Sequence, residues 1–257
     1  MSLFDNPVIP KGSLVLITGT TGLIGSHIAD QFLHYGYKVR GTTRDVHRNA
    51  WMTRLFDSKY GPGLFELVSL PDLTAPDAFD DVVKGTAVVV HAATEMSLDP
   101  DADKVAQATV SMTVNALKAA AREPAVKRFV LTSSSTAALV PRPDTSMTVT
   151  ADRWNDAVVK RAYAPPPYGP DRLYVVYGAS KTLGEKAAWD FVRDEKPAFV
   201  LNTVLPNMNF GAILDPANQG YPSTAGLLAA LFKGKTKPLS YYPPRQSDPA
   251  SCFSDLR

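Results

Sequence analysis

Residues 14–25 read LVLITGTTGLIG, and this stretch decides the fold class. Residues 14–18 form an apolar run with the length of a buried strand. Glycines follow at positions 19, 22 and 25, and apolar residues then recur at helical spacing as far as residue 35. The stretch predicts a strand, a tight glycine turn and a helix in succession.

The same alternation continues along the chain. Further strands are predicted at residues 37–43, 64–68, 87–91, 128–131 and 198–205. Helices are predicted at residues 22–35, 48–56, 79–83, 103–122, 178–193 and 223–232. Apolar strands that alternate with helices are typical of a parallel sheet covered on both faces. We expect an α/β chain with a Rossmann-type doubly wound parallel sheet, since right-handed crossovers place helices on both sides.

Composition argues against several classes of function. The 257 residues include 27 basic and 25 acidic side chains, and this balance argues against a nucleic-acid partner. Hydrophobic residues make up 45% of the chain, as in ordinary globular proteins. Cys252 is the only cysteine, which excludes an internal disulfide and a multi-cysteine metal centre, and we expect no metal site. Because no apolar run approaches ~20 residues and no secretion signal is present, we expect a cytoplasmic protein without a membrane partner.

The glycine turn indicates a dinucleotide site. A strand, a glycine-rich turn and a helix N-terminus together bind pyrophosphate, because the glycines let the backbone approach the phosphates. The predicted cofactor contacts in this turn are Gly19, Thr21, Gly22, Leu23, Ile24 and Gly25.

Two further motifs follow in order along the chain. The fifth predicted strand runs into the serine-rich segment Thr132-Ser-Ser-Ser-Thr136. Tyr177-Gly-Ala-Ser-Lys181 comes later, and its first and last residues share one face of a helix. Because open α/β sheets bind ligands at the carboxyl ends of their strands, the serines, the phenol and the ammonium can meet in one site.

The spacing Gly19-x-x-Gly22-x-x-Gly25, with these two motifs, resembles the signature of extended short-chain dehydrogenase/reductases. The run of motifs is most similar to fungal aldehyde and ketone reductases and to plant dihydroflavonol reductase. The resemblance covers roughly residues 6–244. It implies NADPH-dependent reduction of an aldehyde or ketone, a small-molecule carbonyl substrate and a monomer or homodimer. Members of this family are usually longer, so a C-terminally shortened substrate region is expected.

The resemblance also implies roles for the catalytic residues. Tyr177 is expected to donate a proton to the carbonyl oxygen, and Lys181 to bind the ribose and favour the ionised phenol. Ser134 is expected to polarise the carbonyl, with Ser133 and Ser135 as alternatives. Many relatives carry a proton-relaying asparagine on the long helix, where this chain has Thr109, with Asn115 further on.

The end of the second predicted strand bears on the choice of cofactor. Thr43 stands where an NAD enzyme has an acid for the ribose 2′-hydroxyl, and Arg44 is next to it. An arginine can pair with a 2′-phosphate, so NADPH is predicted, with Arg44 as the main contact and Arg40 or Arg48 as helpers. Asp45 is the counterargument.

Other cofactor contacts are carried over from the resemblance alone. Asp72 and Leu73 are expected beside the adenine. The segment at the end of the fourth strand is expected along the ribose and phosphates, and it comprises His91, Ala92, Ala93 and Thr94. Three residues are expected beside the nicotinamide: Thr132, Pro206 and Asn207.

Domain organisation is predicted from these motifs and from proline content. Residues 1–207 are expected to form the NAD(P)-binding Rossmann domain, with a substrate-side excursion at residues 141–172. Residues 208–257 are expected to form a small, incomplete C-terminal substrate-binding region. Aromatic residues in the two variable segments are candidates for the substrate pocket: Trp154, Tyr163, Tyr168, Tyr174, Phe210 and Tyr221.

Two other functions stay open. The first is an epimerase or dehydratase of a nucleotide-linked sugar that uses tightly held NAD, against which Arg40 and Arg44 count. The second is a cofactor-binding relative without turnover, against which the retained Tyr177 and Lys181 count.

Overall fold

The computed structural model describes residues 7–140 and 146–235. Its strands are β1 (Leu14–Thr18), β2 (Lys38–Thr43), β3 (Phe65–Ser69), β4 (Thr86–His91), β5 (Arg128–Thr132) and β6 (Val200–Val204). Its helices are α1 (Leu23–His34), α2 (Trp51–Tyr60), α3 (Ala102–Arg122), α4 (Asp156–Ala162), α5 (Arg172–Glu195), α6 (Pro216–Gln219) and α7 (Thr224–Phe232), with a 3-10 turn at Ser135–Ala137.

The six strands form one parallel sheet in the order β3-β2-β1-β4-β5-β6. The chain builds outward from β1 to β3, then crosses back to pair β4 with β1 on the other side. This reversal of strand order opens a crevice at the carboxyl ends of β1 and β4, where doubly wound sheets bind ligands. The predicted fold class is confirmed.

The core lies on both faces of the sheet. Along β1, Val15 and Ile17 pack into one apolar cluster with Met52 of α2, and Leu16 packs into the other with Phe129 of β5. Alternate side chains of a strand point to opposite faces, so a strand buried on both sides must be apolar throughout. The run at residues 14–18 is continuously apolar because β1 is buried on both faces of the sheet.

Two helix predictions differ from the structure. Residues 79–83 form turns, and the predicted helix there is wrong, although Phe79 and Val83 are buried. Asp77 and Gly85 adopt positive φ on either side, and the nitrogens of Asp80 and Lys84 donate to carbonyls three residues back, so successive turns replace a regular helix. The apolar spacing in this segment reflects burial without a helix.

The long helix α5 begins at Arg172, six residues before the predicted start at Gly178. A Cβ at Gly178 would lie 3.1 Å from Val158 Cγ2 of α4, so this glycine permits close packing of two helices rather than a helix end. The short helices α4 and α6 were not predicted. The expected irregular segment at residues 238–257 lies outside the described residues. No described helix has the length and apolar content to cross a membrane.

We expect Phe129→Ala to lower the free energy of unfolding by about 3–5 kcal/mol, because it leaves a cavity in the centre of the sheet. Phe129 is fully buried, and its ring stacks on Phe199 with centroids 5.7 Å apart. Urea denaturation followed by circular dichroism measures the change. Phe232→Ala is the matched control, since Phe232 is 95% exposed and should have almost no effect. Equal losses in the two variants would contradict this description of the core.

Candidate active site

A cleft of about 1100 Å³ opens at the carboxyl ends of the strands. The cleft is lined by the glycine turn, the ends of β2, β4 and β5, two tyrosines of α5 and the segment after β6. Predicted residues that line it are Gly19, Thr21, Gly22, Leu23, Ile24, Gly25, Arg44, Asp72, Leu73, Ala92, Ala93, Thr94, Thr132, Ser134, Tyr177, Lys181, Pro206 and Asn207. Three predicted cofactor contacts are absent from this lining: Arg40, Arg48 and His91.

The glycine turn is packed so tightly that side chains cannot enter it. Gly19 has φ +67°, and a Cβ there would lie 2.9 Å from the backbone nitrogen of Ala93. A Cβ at Gly25 would lie 2.2 Å from the carbonyl oxygen of Gly19. Gly22 is the N-cap of α1 and no side chain caps it, so N–H groups of the first helical turn are left for an anion.

The segment after β4 is tied to the glycine turn by one hydroxyl. Thr18 Oγ1 accepts hydrogen bonds from the backbone nitrogens of Ala92 and Ala93, both at 3.1 Å. The same oxygen lies 3.1 Å from Nδ1 of His91. These bonds bring the backbone of residues 92–94 to the wall of the cleft.

The side chain of His91, the first residue of the segment predicted along the ribose and phosphates, lies in the core and not in the cleft. Its ring is buried and lies between Phe79 and Phe129, with centroids 6.0 and 6.4 Å away. Burial, and secondarily the Lys181 charge, lower the pKa of His91 to about 3, so the imidazole is neutral. The residue helps to support the cleft from within the core.

Of the three arginines predicted to contact a 2′-phosphate, only Arg44 lines the cleft. Arg44 is exposed and lines the cleft directly after β2. Arg40 is not available as a helper, because its guanidinium donates to Glu66 Oε1 at 2.6 Å and to the carbonyls of Val82 and Lys84. Arg48 lies outside the lining.

Two carboxylates near Arg44 are engaged with their own loops. Asp45 Oδ1 accepts from the backbone nitrogen of Arg48 at 2.9 Å, and Asp45 does not line the cleft. Asp72 does line it, and its Oδ1 accepts from both the nitrogen and the hydroxyl of Thr74, which lowers the pKa of Asp72. Of these two carboxylates, only Asp72 therefore faces the cleft that Arg44 lines.

The three serines after β5 have different partners. Ser133 donates to Glu185 Oε2 at 2.5 Å, and Ser135 donates to Asn207 Oδ1 at 3.4 Å. Ser134 Oγ accepts from the nitrogen and the hydroxyl of Thr136, at 3.3 and 2.9 Å. Because a hydroxyl carries one hydrogen, that of Ser134 is left to donate to a ligand. The contacts favour Ser134 for polarising a carbonyl.

Tyr177 and Lys181 lie one turn apart on α5, with the ammonium 6.0 Å from the centre of the phenol ring. Lys181 is buried, and its Nζ donates to the carbonyl of Thr132 at 3.2 Å. Burial lowers the pKa of Lys181 to about 8, and the Glu185 charge opposes this change. A cation in this setting favours the ionised form of a neighbouring phenol.

Neither relay candidate on α3 lines the large cleft. Thr109 is buried and donates to the carbonyl of Val105 at 2.9 Å. Asn115 donates to the carbonyls of Leu73, Thr74 and Ala75, so it fixes the segment expected beside the adenine.

Of the six aromatic candidates for the substrate pocket, only Tyr174 lines the cleft. Trp154, Tyr168 and Tyr221 instead face the cations Lys186, Arg172 and Lys233. Sequence reasoning missed residues 95–98, which include the exposed Met96 and Leu98, and the stretch 222–227. The position of residues 95–98 after β4 was the available signal, since ligands bind beyond strand ends.

A model of the NAD dependent epimerase/dehydratase family matches residues 15–218. Aldehyde reductase 2 of Sporidiobolus salmonicolor is 43% identical over 247 residues, which cover 95% of this chain and 71% of the relative. Ketoreductase adrE of Penicillium rubens is 40% identical over 246 residues, which cover 95% of this chain and 70% of the relative.

Solved structures of two reductases are similar in fold to this chain. Yeast methylglyoxal/isovaleraldehyde reductase Gre2, complexed with NADPH, matches with a TM-score of 0.63 at 28% identity, over 77% of this chain and 58% of Gre2. Vestitone reductase from alfalfa matches with a TM-score of 0.67 at 27% identity, over 85% of this chain and 63% of that chain. This chain therefore spans between 58% and 71% of the length of these four relatives. It belongs to the NAD dependent epimerase/dehydratase family, among short-chain dehydrogenase/reductases whose relatives include fungal aldehyde reductases and ketoreductases.

Proposed function

We propose that this chain reduces an aldehyde or ketone to an alcohol with NADPH, with Tyr177 as the proton donor. The observation that carries the proposal is that the expected catalytic residues and the expected cofactor contacts line the same cleft. Ser134, Tyr177 and Lys181 line the same cleft as the glycine turn and Arg44. Two relatives with the names aldehyde reductase and ketoreductase, each at least 40% identical, support the same reaction class.

The residues of the cleft fit a dinucleotide. A Cβ at Gly19 or Gly25 would collide with the backbone of Ala93 or of Gly19, so only glycine allows this tight turn, and the N-terminus of α1 supplies uncapped N–H groups for a pyrophosphate. Arg44 offers a guanidinium to a 2′-phosphate, and Thr43 brings no competing carboxylate. These features favour NADPH over NAD.

When bound, NADPH supplies a hydride to the carbonyl carbon. Ser134 donates a hydrogen bond to the carbonyl oxygen and holds it toward Tyr177. Tyr177 gives its phenolic proton to the same oxygen, which completes the alcohol, and the phenolate regains a proton from solvent. Lys181 stabilises the phenolate through its charge and binds the ribose hydroxyls. The buried position of Lys181 strengthens this interaction, because its charge is little screened.

The alternative within the family is an NAD-dependent epimerase or dehydratase of a nucleotide sugar. The family description and a 41% identical relative from Aspergillus terreus, an NAD-dependent epimerase/dehydratase, keep it open. Purified protein assayed for NADPH oxidation against a panel of aldehydes, ketones and keto esters separates the two. Turnover of the panel supports reduction, whereas tightly bound NAD released on denaturation, without turnover, contradicts it.

We expect Tyr177→Phe to lower kcat for carbonyl reduction by about 10²–10⁴-fold, because the variant cannot donate the proton. The dissociation constant for NADPH, measured by its fluorescence change on binding, should stay nearly the same. Tyr168→Phe is the matched control, since Tyr168 is exposed and lies outside the cleft. A Tyr177→Phe enzyme with unchanged kcat would refute the assigned acid.

We expect Arg44→Ala to weaken NADPH binding by roughly 10- to 100-fold, the loss of one hydrogen-bonded charge pair with the 2′-phosphate. Binding of NADH, which lacks that phosphate, should change little. Isothermal titration calorimetry with both nucleotides measures the ratio, and Arg48→Ala serves as the control because Arg48 does not line the cleft. Equal weakening of both nucleotides in Arg44→Ala would contradict phosphate recognition.

A further inference from the structure

A buried carboxylate lies directly behind the proposed active site. Glu185 is one helical turn beyond Lys181 on α5, is 5% exposed and does not line the large cleft. Its Oε2 accepts a 2.5 Å hydrogen bond from Ser133, at the end of β5. Burial of an ionised carboxylate is costly unless several partners compensate it, and one hydroxyl satisfies only part of its accepting capacity.

A second, small cavity borders Glu185 and shares Lys181, Ser133 and Thr94 with the lining of the large cleft. Its volume is about 10 Å³, which is close to the smallest space that admits one water molecule. Lys181, Glu185, Ser133 and Thr94 line it, together with uncharged residues of α3 that include Thr109 and Thr113. Thr94 Oγ1 is buried and has no hydrogen-bond partner among residues 7–140 and 146–235. An unsatisfied hydroxyl oxygen beside a water-sized cavity, with Lys181 and Glu185 also in its lining, offers a water several polar partners.

The charged groups around this cavity affect the protonation state of Lys181. The Lys181 ammonium has three hydrogens, of which the carbonyl of Thr132 accepts one. The titratable groups that face it are Glu185 and Tyr177 of α5 and His91 of β4, which is neutral because burial depresses its pKa. Glu185 is therefore the negative charge that acts on Lys181, and its effect on the pKa of Lys181 is upward.

We propose that Glu185 is a positioning residue, which holds Lys181 as an ammonium ion across a cavity that binds one water shared with Thr94. The inference rests on the proposed carbonyl reduction for its functional meaning. It gives Ser133 a separate role from Ser134, since Ser133 orients the Glu185 carboxylate.

The test is Glu185→Gln, which keeps the size of the side chain and an oxygen that can accept from Ser133 but removes the charge. The pKa of Lys181 is measured on the whole protein with ¹³Cε-labelled lysine by NMR titration, and Lys181→Arg identifies the signal. We expect the pKa of Lys181 to fall below its wild-type value in Glu185→Gln and to return toward it in Glu185→Asp. Glu195→Gln, an exposed glutamate on the same helix, is the matched control and should leave it unchanged.

Kinetics and crystallography complete the test. At pH 7.5, kcat for carbonyl reduction should fall about tenfold in Glu185→Gln with KM for the carbonyl nearly unchanged, and Glu185→Asp should restore part of it. A crystal structure of the wild type should show a water bonded to Thr94 Oγ1 in the cavity. An unchanged pKa of Lys181 in Glu185→Gln, or a cavity without water, would overturn the inference. If the wild type reduces no carbonyl, the proposed function fails, and the NMR titration still decides the effect of Glu185 on Lys181.

Discussion

The close approach of backbone to backbone between β1 and α1 is the constraint on which the site depends. With 2.2 Å between the Gly19 carbonyl oxygen and a Cβ at Gly25, no other residue fits at position 25 without moving the turn. The same turn passes so near the segment after β4 that Gly19 needs both its small size and its positive φ. Thr18 then ties that segment down through the nitrogens of Ala92 and Ala93. The contact therefore positions two walls of the cleft at once.

The central strands were predictable because burial on both faces of the sheet leaves a plain signature. Val15, Leu16 and Ile17 must all be apolar, and the glycines beside them must be small, so local sequence and tertiary structure agree. Residues 79–83 show where this agreement ends. Their apolar spacing satisfies the core, yet the segment forms successive turns with hydrogen bonds to carbonyls three residues back, and periodicity alone does not separate the two.

The candidate site was predictable in its motifs and less so in its supporting contacts. Tyr177 and Lys181 could be found because helical spacing places them on one face. Arg40 could not be separated from Arg44 by sequence, since the difference lies in the partner on the adjacent strand, Glu66. Glu185 continues the same face four residues after Lys181, so spacing alone could have placed it near the site. Its burial could not be predicted, because it depends on the packing of α5 on α3 and on the bond from Ser133.

The burial of Lys181 affects both its own protonation and its action on Tyr177. Lys181 loses hydration where it lies, and this loss alone would favour the neutral amine, as the pKa of about 8 shows. The carbonyl of Thr132 and the charge of Glu185 offset part of that cost. Because Lys181 is buried, its charge is less screened and acts more strongly on Tyr177 than the charge of a hydrated lysine at the same distance would. A buried carboxylate behind the lysine therefore lets a desolvated side chain retain the charge that makes Tyr177 a useful acid.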